Sequence, residues 1–210
     1  MNIRFAKVLL ILVFIGVVPI SCMKNCDGPC GCEPVFAERF YSANSFSIET
    51  LYRTDRNRPI EPNRFYFHEG LFKAIWVSLL IEISDAIEKP KTGGLFPAAY
   101  ACSPANSFSS ETLRGLRIIN KSPVTLNNQV SFAAGETINA HFVLTQNFQQ
   151  ELQISDFIAR NHRFQKDERI YIKCKTKPDQ PTQLLVDIEV ELDNGRLFTF
   201  SNETMKIAPN

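Results

Sequence analysis

The chain is short of the features that most quickly betray a function. Its 23 basic and 22 acidic residues nearly cancel, so no field of one sign favours nucleic acid or another polyanion. It has three histidines and one tryptophan. Gly-x-Ser-x-Gly, His-Glu-x-x-His and a phosphate-cradling glycine loop are all missing, which removes the usual motif-level warrant for a serine hydrolase, a zinc peptidase or a nucleotide-binding enzyme. Glycine is scarce at 9, phenylalanine abundant at 17, and no unit of about 20 to 50 residues recurs, so low-complexity and solenoid architectures are disfavoured. No apolar run reaches the roughly 20 residues that a permanent transmembrane helix needs.

What is present begins at the amino terminus. Arg4 and Lys7 precede an apolar run from Val8 to Ile20, interrupted only by Gly16 and Pro19, and Ser21-Cys22 follows. At about 1.5 Å per residue this run makes roughly 20 Å of helix, short of a hydrocarbon core of about 30 Å. The layout is that of a signal peptide, with a positive n-region, a short h-region and a small residue at the cleavage point. Ile20-Ser21-Cys22 resembles the lipobox of bacterial lipoproteins, in which the cysteine is acylated and becomes the mature N-terminus; Pro19 stands where an aliphatic residue is usual. The alternative, ordinary signal peptidase cleavage, prefers Ala-x-Ala, and no alanine lies between Lys7 and Cys22. The expected product is anchored to a membrane through Cys22, because two or three acyl chains hold far more firmly than one.

Beyond Cys22 lie 188 residues, 21 basic and 22 acidic, enough for one ordinary domain. The expected organisation is a signal peptide over 1–21, a Cys-rich tether over 22–38 and a β-domain over 39–210. With Cys22 acylated, Cys26, Cys30, Cys32, Cys102 and Cys174 remain. They are disulfide candidates in an oxidising envelope, and their odd number leaves at least one unpaired or shared between molecules. A thiolate metal site in the Cys26–Cys32 cluster is the alternative, but the two separated Cys-x-x-Cys pairs of a zinc knuckle are missing, so no metal or cofactor is expected.

Along the chain, period-two alternation predicts strands over 46–52 and 113–120, and extended segments over 131–144 and 170–174. Asp55–Arg64, with Pro59 and Pro62, reads as a solvated basic loop, and Lys89–Pro104 as a long connection. Phe65–Ile83 fits both a helix and a strand buried on both faces; its β-branched content favours the strand. Trp76 within it reads as core, with a sugar-stacking platform as the alternative. Ser155 reads as the N-cap of a short helix through Arg160. The last forty residues carry the plainest pattern: Leu184, Val186, Ile188, Val190 and Leu192 alternate with Leu185, Asp187, Glu189 and Glu191, Asn194-Gly195 supplies a hairpin turn, and a bulge near Asn202 would restore register for Met205 and Ile207. The expected fold class is all-β, an antiparallel β-sandwich of immunoglobulin-like type with one short helical segment.

The lipobox and cysteine cluster, Ala99-Tyr100-Ala101-Cys102-Ser103-Pro104, Ala134-Gly135-Glu136-Thr137-Ile138-Asn139 and the Leu192-Asp193-Asn194-Gly195 turn together resemble an uncharacterised family of Bacteroidetes lipoproteins. The resemblance implies a small β-rich envelope protein acylated at Cys22. It transfers no catalytic or ligand residue.

Candidate chemistry is thin. His68, His141 and His162 lack a local partner arrangement and read as structural or solvated. Asp187, Glu189, Glu191 and Asp193 share one strand face with about 6.5 to 7 Å between successive carboxylates. That is near a glycosidase spacing, but alternating acids opposite an apolar face describe the wet side of a sheet, with a surface calcium contact as the remaining option. The expected protein is therefore a non-enzymatic binding or structural module, lipid-anchored in the bacterial envelope and most simply at the outer membrane, with an envelope protein or glycan as partner and no nucleic acid. A glycan-binding accessory or adhesin-like subunit is the second reading, with the aromatics of Phe65–Phe72 as its contact surface.

Overall fold

The computed structural model describes residues 40–53, 58–83 and 108–209, all within one compact unit. In chain order the strands are β1 (Tyr41–Tyr52), β2 (Arg58–Pro59), β3 (Tyr66–Phe67), β4 (Leu71–Glu82), β5 (Phe108–Asn120), β6 (Val124–Asn127), β7 (Val130–Phe132), β8 (Phe142–Thr145), β9 (Leu152–Gln153), β10 (Arg163–Gln165), β11 (Arg169–Cys174), β12 (Thr182–Leu192) and β13 (Leu197–Ala208), with one helix, α1 (Ile154–Ile158), before β10. Hydrogen-bonded neighbours run β3-β13-β12-β5-β1-β4-β11-β8-β9 in an open sheet, with β10 beside β5, β2 beside β1, and β6–β7 as a separate hairpin. Among the described residues the expectation of an all-β fold with one short helix holds. The purely antiparallel expectation does not: β1 meets β5 in parallel through Tyr41 and Ser109, and β13 meets β3 in parallel, so the sheet is mixed.

The β1–β5 contact is one residue pair long, and on either side of it the sheet buries apolar faces in a common cluster. Phe46, Ile75, Val77, Leu144 and Ile172 come from β1, β4, β8 and β11; Leu113, Ile118, Leu184, Val186, Ile188, Val190 and Met205 come from β5, β12 and β13. Phe46 of β1 meets Phe198 of β13 at 4.7 Å and Phe164 of β10 at 4.9 Å, ring centre to ring centre. Each fully buried aliphatic or aromatic side chain contributes about 1.5 to 3 kcal/mol, so this shared core dominates stability. An apolar void among Ile75, Leu116, Phe164, Ile172 and Val190 has room for about one water molecule, too little for a ligand.

Phe65–Ile83 resolves as a strand, not a helix, over Leu71–Glu82. Both edges of β4 are used, by β1 and by β11, and both faces of its first half are buried. α1 starts two residues earlier than expected: Gln153 holds the N-cap position and Ser155 lies in the first turn, its hydroxyl near Asp156 and making no cap bond. A helix this short is positioned by burial of Ile154 and Phe157, and propensity is too weak to set its first residue.

The β12–β13 hairpin and its bulge fall where the alternation places them. Only Gly195 takes a positive φ, 83°, while Asn194 does not; Gly195 N–H donates to Leu192 O at 2.9 Å and Leu192 N–H to Arg196 O at 2.9 Å. The turn thus needs one left-handed residue, not the two of the tightest hairpins. Pairing then runs from Ile188–Phe200 to Val186–Glu203, so one extra β13 residue is accommodated opposite Asp187. Asn202 takes φ 60°, and its N–H donates to Asp187 Oδ1 at 2.9 Å. Asparagine tolerates the left-handed region and a β-branched residue does not. Asn202→Gly is expected to unfold in urea within a few tenths of a kcal/mol of the parent, and Asn202→Val to lose about 1 to 2 kcal/mol. Equal midpoints for the two variants would place the bulge elsewhere.

Candidate functional site

The most distinctive surface lies on the face of β1, β4 and β11 turned away from the common core. Register builds it row by row: Leu51 opposite Phe72, Glu49 opposite Ala74, Ser47 opposite Trp76, then Tyr171 opposite Ala74 and Arg169 opposite Trp76. Paired residues share a face, so Leu51, Phe72, Ala74, Trp76 and Tyr171 form a second apolar cluster there. Ala74 is the small residue at its centre. Above it Arg169 reaches across to the Glu49 carboxylate at 2.5 Å and stacks over Trp76, 4.8 Å from the ring centre.

A turn after β8 completes the surface. Phe148, alone among polar residues, has φ 61°, a conformation that costs a bulky side chain about 1 to 3 kcal/mol. Several bonds hold it there. Its N–H donates to Thr145 Oγ1 at 2.9 Å, Asn147 Oδ1 accepts from Gln149 and Gln150 N–H at 3.0 and 3.2 Å, and Arg53 donates to its carbonyl at 3.4 Å. The ring lies 4.2 Å from Tyr171 and 5.0 Å from Phe72, with the Arg53 guanidinium 4.9 Å above it. The result is a surface on which half-buried Trp76 and Phe148 rest on buried Phe72 and Tyr171 and carry two fixed guanidinium groups and one carboxylate.

Sequence reading took Trp76 and Phe72 from this group but missed Glu49, Arg53, Phe148, Arg169 and Tyr171. Phe148 carried a usable signal, a lone aromatic in the polar run Thr145-Gln146-Asn147-Phe148-Gln149-Gln150. Trp76 is half-buried beneath Arg169 rather than fully in the core. In the Phe65–Phe72 stretch, Tyr66 and Phe72 are buried, while Phe65 and Phe67 are 39% and 57% exposed.

The sequence-predicted acids and histidines do not converge. Among the described residues no three His, Cys, Asp or Glu side chains are placed to share a metal ion. The acid row on β12 is matched by β5: Lys121 meets Asp187 at 2.8 Å, Arg117 meets Glu189 at 2.5 Å, Arg114 approaches Glu191 at 3.8 Å, and the Thr112 hydroxyl donates to Asp193 at 2.9 Å. Hydrogen bonds from Lys121 and the Asn202 N–H hold the Asp187 carboxyl below its ordinary value. These are cross-strand ladders on the solvent side, each contributing up to about 1 kcal/mol.

The three histidines sit in separate places. His141 Nδ1 is 3.0 Å from Thr176 Oγ1 and its ring rests on Phe132. His162 lies between Phe157 and Phe164 with Glu168 at 3.9 Å, and burial lowers its pKa despite that carboxylate. His68 is lowered first by burial and then by the Lys173 charge.

Cys174 corrects one disulfide expectation. It is a free, buried thiol whose Sγ donates to Thr176 O at 3.4 Å, and burial pushes its pKa up to about 11. It behaves as a small core side chain with little thiolate character at neutral pH. Cys22, Cys26, Cys30, Cys32 and Cys102, the signal peptide and the Lys89–Pro104 connection lie outside the described residues.

No protein-family model, no curated protein and no solved structure matches this chain.

Proposed function

We propose that this chain is a lipid-anchored protein of the bacterial cell envelope, acylated at Cys22 and most simply held at the outer membrane, that works as a non-enzymatic binding module. The supporting observation is the composition of the β1–β4–β11 surface. Trp76, Phe148, Arg53 and Arg169 are residue types enriched in binding hot spots, and they are pre-positioned over the buried Phe72 and Tyr171 by strand register and a strained turn, which lowers the ordering cost of binding. We also read the two core-sharing halves of the sheet as a sandwich of immunoglobulin-like type, and the cysteine-rich start and Tyr-Ala-Cys-Ser-Pro segment as membership of the Bacteroidetes lipoprotein family they resemble.

A glycan as the partner is the second reading. Exposed Phe65 and Phe67 favour it, since sugar rings stack on accessible aromatic faces. One experiment separates the two. The chain lacking residues 1–21 and carrying Cys22→Ala is immobilised and exposed to envelope extract from its own organism and, in parallel, to a glycan array. Trp76→Ala with Arg169→Ala is expected to reduce retention of the same envelope components at least about tenfold, as loss of one hot spot does, without moving the thermal midpoint below the growth range. Unchanged retention overturns the proposed surface. Glycan binding abolished by Phe65→Ser with Phe67→Ser installs the second reading instead. Acylation is read separately, as the mass of the Cys22 peptide from the native envelope.

A further inference from the structure

A second surface lies at one end of the sheet, beginning at Leu79, three residues beyond Trp76 on β4. β4 changes character along its length: Leu71, Phe72 and Ile75 are 1 to 3% exposed, whereas Leu79, Ile81 and Ile83 are 46%, 47% and 41% exposed. Period-two alternation puts these last three on one strand face. Ile83 N–H donates to Phe40 O at 2.8 Å and Ser42 pairs with Ile81, so Phe40, 42% exposed, stands opposite Ile83. The parallel Tyr41–Ser109 pair brings Phe108, 39% exposed, beside Phe40. Five large apolar side chains from β4 and the starts of β1 and β5 are thus gathered where nothing in the core requires them. A contiguous exposed apolar patch marks an interaction surface.

We propose that this end of the domain docks on a lipid bilayer, with Phe40, Leu79, Ile81 and Ile83 seated at the headgroup–acyl boundary. The inference rests on the proposed anchoring at Cys22 for its choice of occupant. Phe40 lies 18 residues after Cys22, a span of at most about 65 Å even fully extended. The chain therefore joins the domain at the apolar end, and acylation would hold that end near the membrane at high effective concentration. Arg163 and Arg196 border this end, but the exposed side chains gathered on it are apolar, which suits insertion at the boundary better than a purely electrostatic contact. Tether and patch would act together, the acyl chains supplying retention and the patch fixing how the domain is oriented. With this end down, the opposite end of β1 and β4, where Arg53 and Phe148 complete the aromatic surface, stays accessible to a partner.

The test removes the anchor. The chain lacking residues 1–21 and carrying Cys22→Ala is sedimented with sucrose-loaded vesicles of phosphatidylethanolamine and phosphatidylglycerol. Measurable partitioning is expected for this form, and a drop of at least about tenfold for Leu79→Ser with Ile81→Ser. Phe67→Ser, which removes an apolar side chain 57% exposed on β3, beside the far end of β13, is expected to leave partitioning unchanged. Absence of partitioning by the parent at millimolar lipid, or an equal loss in Phe67→Ser, overturns the proposal. So does a concentration-dependent dimer in light scattering that Leu79→Ser with Ile81→Ser dissociates, because the patch is then a contact between copies. Near-UV circular dichroism verifies that the variants are folded. Since no form in this assay carries lipid, its outcome is independent of whether Cys22 is acylated in the native envelope; an unmodified Cys22 peptide beside normal vesicle binding would remove the anchor and leave the patch.

Discussion

Replacing Glu203 by leucine is expected to destabilise the domain by about 3 to 5 kcal/mol, a large share of the 5 to 15 kcal/mol that holds a domain of this kind together. Lys73 sits on β4 with its side chain only 3% exposed, on the face shared with Leu71 and Ile75, and its ammonium bonds the Glu203 carboxylate of β13. β4 and β13 are not sheet neighbours, so this pair crosses the core. Burial pushes the Lys73 pKa down and Glu203 partly restores it. Without Glu203 the ammonium is left in the core with no counter-charge, and the loss measures that orphaned charge rather than the worth of the pair. Two further results follow. The double change Lys73→Met with Glu203→Leu removes both charges and is expected to return within about 1 kcal/mol of the parent or above it. The penalty in the single variant is also expected to shrink as pH rises: the folded-state pKa of Lys73 lies below its ordinary 10.5, so between the two values the unfolded chain binds more protons and stability grows with pH. Urea denaturation of all three proteins at neutral and alkaline pH measures each effect. A single variant as stable as the double would show that Lys73 reaches water.

This ion pair marks where sequence reading stops. Lys73 stands inside Leu71-Phe72-Lys73-Ala74-Ile75-Trp76-Val77, and a strand buried on both faces leaves every member inside, a lysine included. Nothing local names a partner 130 residues away. The β12–β13 hairpin was readable to the residue because alternation, a turn glycine and a break at Asn202 are properties of one continuous stretch. The row Asp187, Glu189, Glu191 and Asp193 was readable as a wet face, but its cations were not, since Arg114, Arg117 and Lys121 become its neighbours only through β5–β12 register. The aromatic surface demands more still: three strands, taken from the beginning, middle and last third of the chain, must be in register before Glu49, Ala74 and Tyr171 form one row. Cys174 was readable as a cysteine and not as a thiol, because burial decides its state.

Glu111→Ala is expected to cost about 3 kcal/mol, as a buried acceptor of several hydrogen bonds does when its donors are stranded. Glu111 is a carboxylate on β5 with 7% exposure. Ser42 Oγ donates to Oε1 at 2.6 Å, Ala43 N–H to Oε2 at 3.2 Å and Asn194 Nδ2 to Oε1 at 3.2 Å. Arg196 extends the network, reaching Ser42 Oγ at 3.2 Å and Asn44 O at 3.3 Å. The carboxylate thus ties the start of β1 and the tip of the β12–β13 hairpin to β5 at the place where the two halves of the sheet meet through one parallel pair, a joint with little ladder hydrogen bonding of its own.

Burial alone would raise the Glu111 pKa; the bonds from Ser42 and the Ala43 N–H outweigh it and leave the pKa below the ordinary 4.5. A carboxyl depressed in the folded state stabilises above its unfolded value and loses that contribution as pH falls through the folded one. Two earlier losses are expected on the way down. His68 and His162, both lowered from 6.5 by burial, contribute stability present above about pH 6.5 and lost below it, because the unfolded imidazoles take up protons first. The acid profile should therefore fall in two stages, and Glu111→Gln, which keeps the shape but not the charge, should flatten the second stage while sparing the first. A parent and Glu111→Gln with identical slopes below pH 4.5 would show that other carboxylates, Asp187 first among them, carry the acid sensitivity and that the joint is held by packing around Phe46 and Phe198.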